Sequence, residues 1–180
     1  MKKIVIIALA FLIPASVAAT PTLNFYFADH PGPKAIDIPG PMAELDAFIF
    51  GEGLDCYFTG CEFAVTYPAG VFPIEEEYFG NLSMGNTTGG LSLTFWPPLD
   101  GWTPGYNAMA RVRLLFTGDC NTLGRDLRIE IGPHPISGEL RGTCWPDNVL
   151  FDITGTTSIL CPEAIANGSE SWGVVKSLYK

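Results

Sequence analysis

Histidine is nearly missing from this chain. The two present, His30 and His134, each stand beside proline in predicted turns. There is no G-x-S-x-G elbow, no H-E-x-x-H, no P-loop and no G-x-G-x-x-G. Without these, a serine-histidine hydrolase, a zincin and a nucleotide or dinucleotide enzyme lose the residues their chemistry requires. The five cysteines form no C-x-x-C pair and are irregularly spaced, which argues against a zinc site. Basic residues are scarce as well, 10 Lys plus Arg against 19 Asp plus Glu, and a net charge of −9 disfavours nucleic acid and anionic membrane as partners.

Long apolar runs are limited to Ile4 to Ile13, too short to span a bilayer comfortably. That run follows Lys2 and Lys3 and precedes Val17-Ala18-Ala19, so residues 1–19 read as a signal peptide cleaved after Ala19, with Ala18 as the alternative. No cysteine stands at the new N-terminus to carry a lipid anchor. The expectation is a secreted, periplasmic or cell-surface protein with no membrane span. The remainder is enough for one domain that buries roughly 70% of its unfolded surface. We divide it into a β-sandwich over 20–168 and a helical tail over 169–180.

The fold is most legible from Ala108 to Thr117. There Ala110, Val112, Leu114 and Phe116 alternate with Arg111 and Arg113, the period of a half-buried strand. Its expected partners share the rhythm: Leu127, Ile129 and Ile131 in one segment, Phe63, Val65 and Tyr67 in another. Further strands are expected at Leu23 to Ala28, Ala43 to Gly51, Leu82 to Met84, Leu91 to Phe95, Glu139 to Thr143, Val149 to Thr154 and Ser158 to Cys161. Asp29 to Pro41 reads as a loop. In Val71 to Phe79, Pro73 and three glutamates point to an exposed edge or a loop. Short strands with turn signals every eight to twelve residues define an all-β, two-sheet antiparallel sandwich of the Ig-like jelly-roll kind. Trp172, Val175 and Tyr179 fall at helical spacing, giving a short C-terminal helix that must dock, engage a partner or fray.

An exported chain should pair its thiols. The preferred bridges are Cys56 to Cys61 and Cys120 to Cys144, with Cys161 left over; Cys144 to Cys161 with Cys120 free is the alternative. Glu75 and Glu77 would share one strand face at a spacing a cation could bridge, against the plainer expectation of a solvated acidic edge. No metal or other cofactor is expected. Asn81-Leu82-Ser83, Asn86-Thr87-Thr88 and Asn167-Gly168-Ser169 match glycosylation acceptors, coincidentally in a chain with a bacterial-looking signal.

The stretch Phe95 to Tyr106 is the candidate site. If Leu91, Leu93 and Phe95 face the core, Trp96 projects outward, with Trp102 and Tyr106 on the following loop beside Asp100. Rings so displayed suit sugar stacking or a protein partner, whereas buried rings would lock the proline-rich crossover against a sheet end.

The succession Glu62-Phe63-Ala64-Val65, Leu91-Ser92-Leu93-Thr94-Phe95 and Ala110-Arg111-Val112-Arg113-Leu114-Leu115-Phe116 resembles the cohesin-like and carbohydrate-binding-module group of β-sandwiches. With the closing Ser171-Trp172-Gly173-Val174-Val175-Lys176-Ser177-Leu178-Tyr179, the chain is also similar to uncharacterised secreted proteins of environmental bacteria that end in Trp-Gly-x-x-Lys-x-Leu-Tyr. The cohesin resemblance implies protein or glycan binding through a sandwich face and no catalysis, but the dockerin-contact pattern that would name a partner is missing. The sequence thus points to an exported, non-catalytic binding or structural protein. Its alternatives are a polysaccharide-binding module using Trp96, Asp100, Trp102 and Tyr106, and a carboxylate-dependent hydrolase.

Overall fold

The computed structural model describes residues 20–28, 32–102 and 107–163. The expected signal segment, His30, Tyr106 and the expected C-terminal helix lie outside the described residues. In chain order the strands are β1 (Thr22–Tyr26), β2 (Ala35–Ile36), β3 (Glu44–Glu52), β4 (Tyr57–Thr66), β5 (Val71–Tyr78), β6 (Leu82–Asn86), β7 (Gly90–Asp100) and β8 (Ala108–Phe116). One helical turn, α1 (Cys120–Leu123), precedes β9 (Leu127–Gly132), β10 (Arg141–Trp145), β11 (Val149–Asp152), β12 (Thr154–Gly155) and β13 (Thr157–Leu160).

These strands form two sheets. The first has the order β12-β1-β3-β8-β5; the second runs β11-β10-β4-β9-β13-β2, with β7 also on β4 and β6 on β7. Pairing is antiparallel except at β1 with β12 and β13 with β2. Alternation along β8 behaves as expected: Ala110, Val112, Leu114 and Phe116 are fully buried while Arg111 and Arg113 reach the outer face. Phe25, Phe58, Phe63, Phe95, Met109 and Ile129 fill the space between the sheets with them.

The expected partners of β8 need correction. It pairs with β3 and β5, whereas the segments around Phe63 and Ile129 pair with each other as β4 and β9 in the opposite sheet. Alternation fixes which face a strand buries; it is silent on which strand lies beside it. Between the two arginines and the acids of β3 and β5 a cross-strand ladder forms. Arg113 meets Asp46 at 3.0 Å and Glu75 at 2.8 Å, and Arg111 meets Glu75 and Glu77 at 3.3 Å each. Guanidiniums therefore occupy the position considered for a bridging cation. The edge reading of the Pro73 segment is correct, since β5 ends its sheet.

The disulfides also differ from expectation. Cys56 pairs with Cys144 and Cys120 with Cys161, at Cα separations of 5.9 and 5.4 Å, and Cys61 is free and buried. Cys56 and Cys61 were expected to close a short loop, but nearly all of that interval is extended β4. Five residue steps of strand separate their Cα atoms by roughly 17 Å, far beyond the reach of one bridge. Cys144 instead comes alongside Cys56 because β10 pairs with β4, Cys144 lying opposite Phe58. Cys61 turns inward, its sulfur 3.6 Å from that of Met109, and burial raises its thiol pKa well above the ordinary value.

Candidate functional site

Strands β11, β10, β4, β7 and β6 present one outer face, which can be reconstructed from register. Leu82 lies opposite Thr94, Thr94 opposite Gly60, Gly60 opposite Thr143 and Thr143 opposite Leu150. A parallel row runs Met84, Ser92, Glu62, Arg141, Asp152. Directly opposed residues on adjacent strands share a face, so these rows are continuous across the sheet. Between them lies an open trough of about 390 Å³, lined by Thr59, Gly60, Glu62, Thr94, Arg141 and Thr143 among others.

The floor of the trough is set by Gly60. A Cβ there would lie 2.7 Å from the carbonyl oxygen of Leu93 and 3.3 Å from Thr143 Oγ1, so the close approach of β7 and β10 at this point admits only glycine. Thr59 donates to Thr143 across the strands at 3.0 Å. Arg141 is held at the trough wall by Glu139 and, at 3.8 Å, by Asp152. Glu62 is the one carboxylate among the described lining residues.

Aromatic rings flank this trough. Trp96 follows Thr94 by two residues, Tyr57 precedes Thr59 by two, and Trp145 follows Thr143 by two. Buried Phe95 and Phe58 anchor the neighbouring positions, so Trp96 and Tyr57 turn out to solvent. Register with β4 jumps from Thr94 to Leu99, letting Phe95 to Pro98 bulge from the ladder; the Trp96 amide donates to Asn81 Oδ1 within that bulge. Trp96, Trp102, Trp145 and Tyr57 are 65%, 51%, 50% and 48% exposed. Tyr57 packs edge-on against Trp102 at 4.9 Å and Trp145 at 6.2 Å, and Tyr57, Trp96, Pro98 and Trp145 border an open apolar recess of about 240 Å³.

The structure thus brings together three of the sequence-derived candidates: Trp96 and Trp102 are displayed, and Asp100 accepts the Trp102 amide at 3.1 Å. Tyr106 lies outside the described residues. Sequence reasoning missed Tyr57 and Trp145, which come from other strands. Their signal was present in Trp145-Pro146, a repeat of the Trp96-Pro97 pair, and in Tyr57 beside a cysteine; only the β4 to β10 pairing shows that they meet.

No protein-family model and no curated protein sequence matches the chain. Among solved structures the fold does have counterparts. R. flavefaciens' third ScaB cohesin in complex with a group 1 dockerin aligns with a TM-score of 0.51 and 12% identity, over 81% of this chain and 97% of that chain. A structure of the CaDoc0917–CaCohA2 complex, CaCohA2 being from Clostridium acetobutylicum, aligns with a TM-score of 0.50 and 9% identity, over 79% of this chain and 99% of that chain. The class is therefore a cohesin-like β-sandwich, which agrees with the resemblance read from the sequence. At these identities the likeness describes the fold.

Proposed function

We propose that this protein is an exported, non-catalytic binding module whose ligand face is the outer surface of the β11-β10-β4-β7-β6 sheet. The observation that carries the reading is the exposed cluster of Trp96, Trp102, Trp145 and Tyr57 beside an open trough. Rings of this size are ordinarily drawn into a core, and an exposed apolar group of them marks an interaction site. Trp96, Asp100 and Trp102 are the binding residues drawn from the sequence, with Tyr106 retained on the same ground; Tyr57 and Trp145 extend the set. The structural counterparts were solved with dockerins bound or in a complex, and that lends a binding role further support.

A hydrolytic role has weaker footing. Glycoside hydrolysis takes two carboxyl groups roughly 5 to 10 Å apart across a sugar, whereas Glu62 is the one carboxylate lining the trough among the described residues and Asp152, in the same row, faces the Arg141 guanidinium at 3.8 Å. Glu75 and Glu77 are engaged by Arg111 and Arg113 on the other sheet. The signal-like residues 1–19 support export, and the two disulfides suit an oxidising compartment.

The test is retention of the labelled mature chain on the surface of the cells that produce it, with and without Trp96→Ala plus Trp145→Ala. Retention that falls in the variant supports the reading. Equal retention by both would remove this face from the function.

A further inference from the structure

Resting on that reading, we propose that the occupant of the trough is the interior of a neutral, unbranched glycan chain, lying across the strands with its rings against Trp96, Tyr57 and Trp145. Three observations converge on it.

The first is shape. The row from Leu82 through Thr94, Gly60 and Thr143 to Leu150 crosses five strands, four spacings or roughly 19 Å. Both ends of the row are exposed side chains on the flanking strands, Leu82 at 59% and Leu150 at 57%. The trough itself is lined from β7, β4, β10 and β11, so it runs across the strands and suits a stretch of polymer laid across them. A closed pocket for a terminal sugar would have a different outline.

The second is chemistry. A pyranose has an apolar C–H face and an equator of hydroxyls. The open recess bordered by Tyr57, Trp96 and Trp145 offers apolar ring surface for the faces. Hydroxyls of Thr59, Ser92, Thr94 and Thr143, with the amide of Asn148, line the adjoining trough and match the equator, each able to donate and accept. Gly60 adds no side chain to the centre of the lining, where β7 and β10 close over it. Alternating apolar and hydroxylated surface of this kind is a poorer match to the continuous apolar centre of a protein interface.

The third is charge. The cation lining the trough, Arg141, already faces Glu139 and Asp152, while Glu62 projects a carboxylate into the same space. The whole chain carries −9. A uronate or sulfated polymer would meet repulsion with no unpaired guanidinium among the described lining residues to offset it. A neutral glycan meets none.

The experiment is calorimetric and fluorescence titration of the mature, disulfide-bonded chain with soluble mixed-linkage β-glucan, xylan and glucomannan, with polygalacturonate as the anionic probe, followed by oligosaccharides of increasing length from any polymer that binds. The expected result is saturable binding of a neutral polymer, undetectable binding of polygalacturonate, and affinity that rises with oligomer length until the trough is filled. Trp96→Ala should weaken it by about tenfold or more. Thr94→Ala, exposed and outside the core, is the second variant and should weaken binding several-fold without touching the fold, each checked by far-ultraviolet circular dichroism. Polygalacturonate binding as tightly as the neutral polymers, or a free monosaccharide binding as tightly as its oligomers, would overturn the proposal. No glycan binding, with ring-dependent cell-surface retention intact, would overturn it while leaving the binding module standing with a protein as its occupant. Loss of both would overturn the module as well.

Discussion

Glu76 of β5 accepts two hydrogen bonds from Thr87, one from its amide at 3.0 Å and one from its hydroxyl at 2.5 Å, and so fastens an edge strand of one sheet to the β6–β7 turn of the other. The Tyr78 hydroxyl donates to the same carboxylate, and Tyr67 bonds the Thr87 hydroxyl at 2.8 Å. Thr87 is fully buried. This cluster ties the two sheets together through Tyr67 and Tyr78, both packed against the core. Removing one partner leaves the others desolvated, so Thr87→Val should cost about 1–3 kcal/mol in urea unfolding. Glu76→Ala combined with Thr87→Val should cost less than the sum of the single changes, because the two act as one unit.

The same tyrosines set an alkaline limit. Burial raises the Tyr67 pKa, opposed by its bond to Thr87 and reinforced by the nearby Glu76 charge, while burial followed by the Glu76 hydrogen bond raises that of Tyr78. Both lie above the ordinary value of 10.0. Above that value the unfolded chain releases these protons while the folded chain keeps them, so the folded state binds more protons and stability falls as pH rises. The contribution is complete below pH 10 and is lost through the folded-state values. Thermal unfolding followed from pH 8 to 11.5 should show the midpoint dropping from about pH 10 upward, with a shallower drop in Tyr78→Phe.

How the sequence foreshadowed this arrangement differs between its two halves. The β8 alternation reported faithfully because burial on one face is imprinted residue by residue, and Pro73 reported the edge of β5 because an imino nitrogen has no proton for a ladder. Alternation also turns Glu76 away from Glu75 and Glu77, but nothing local to it names Thr87, eleven residues on, as its partner. The ligand face divides in the same way. Trp96 and Trp102 lie close together in the chain and could be read as a pair, whereas Tyr57 and Trp145 join them only through the long-range β4 to β10 register.

On the outer face of the first sheet, Arg113 spans Asp46 and Glu75, and these neighbours hold its guanidinium above its already high pKa. The ladder is largely solvated. Arg113→Ala should therefore lower stability by less than Thr87→Val does, and the deficit should shrink further between 50 mM and 1 M salt as screening replaces the lost partners. An Arg113 effect larger than that of Thr87, or one indifferent to salt, would contradict the contrast drawn between the two clusters.

Gly155 tests the corner at which β12 runs parallel to β1. A Cβ on it would stand 1.9 Å from the carbonyl oxygen of Ile131 and 2.6 Å from the carbonyl carbon, both backbone atoms. No rotamer change can relieve that contact. Gly155→Ala should cost about 1–3 kcal/mol as an overpacked site, whereas Gly138→Ser, with nothing within 4 Å of its Cβ position, should lose less because only its left-handed φ of 74° opposes the change. Equal losses at the two positions would show that the corner yields.

Cys61 separates the observed disulfide pattern from the one its sequence neighbours suggest. With Cys56 bonded to Cys144 across 88 residues and Cys120 to Cys161 across 41, each bridge closes a long loop and should stabilise by about 4–5 kcal/mol through the unfolded chain. Peptide mapping of the oxidised protein should recover those two linked pairs and Cys61 as the unlinked thiol. Buried between the sheets, with burial and the adjacent Glu62 charge disfavouring the thiolate, Cys61 should resist iodoacetamide in the native state and react once the protein is unfolded in denaturant without reductant. Cys61→Ser should then preserve both bridges and lower stability modestly through the hydroxyl it places against Met109. A Cys56 to Cys61 linkage in the map would require β4 to begin five residues later than Tyr57, and with that the trough floor at Gly60 would vanish.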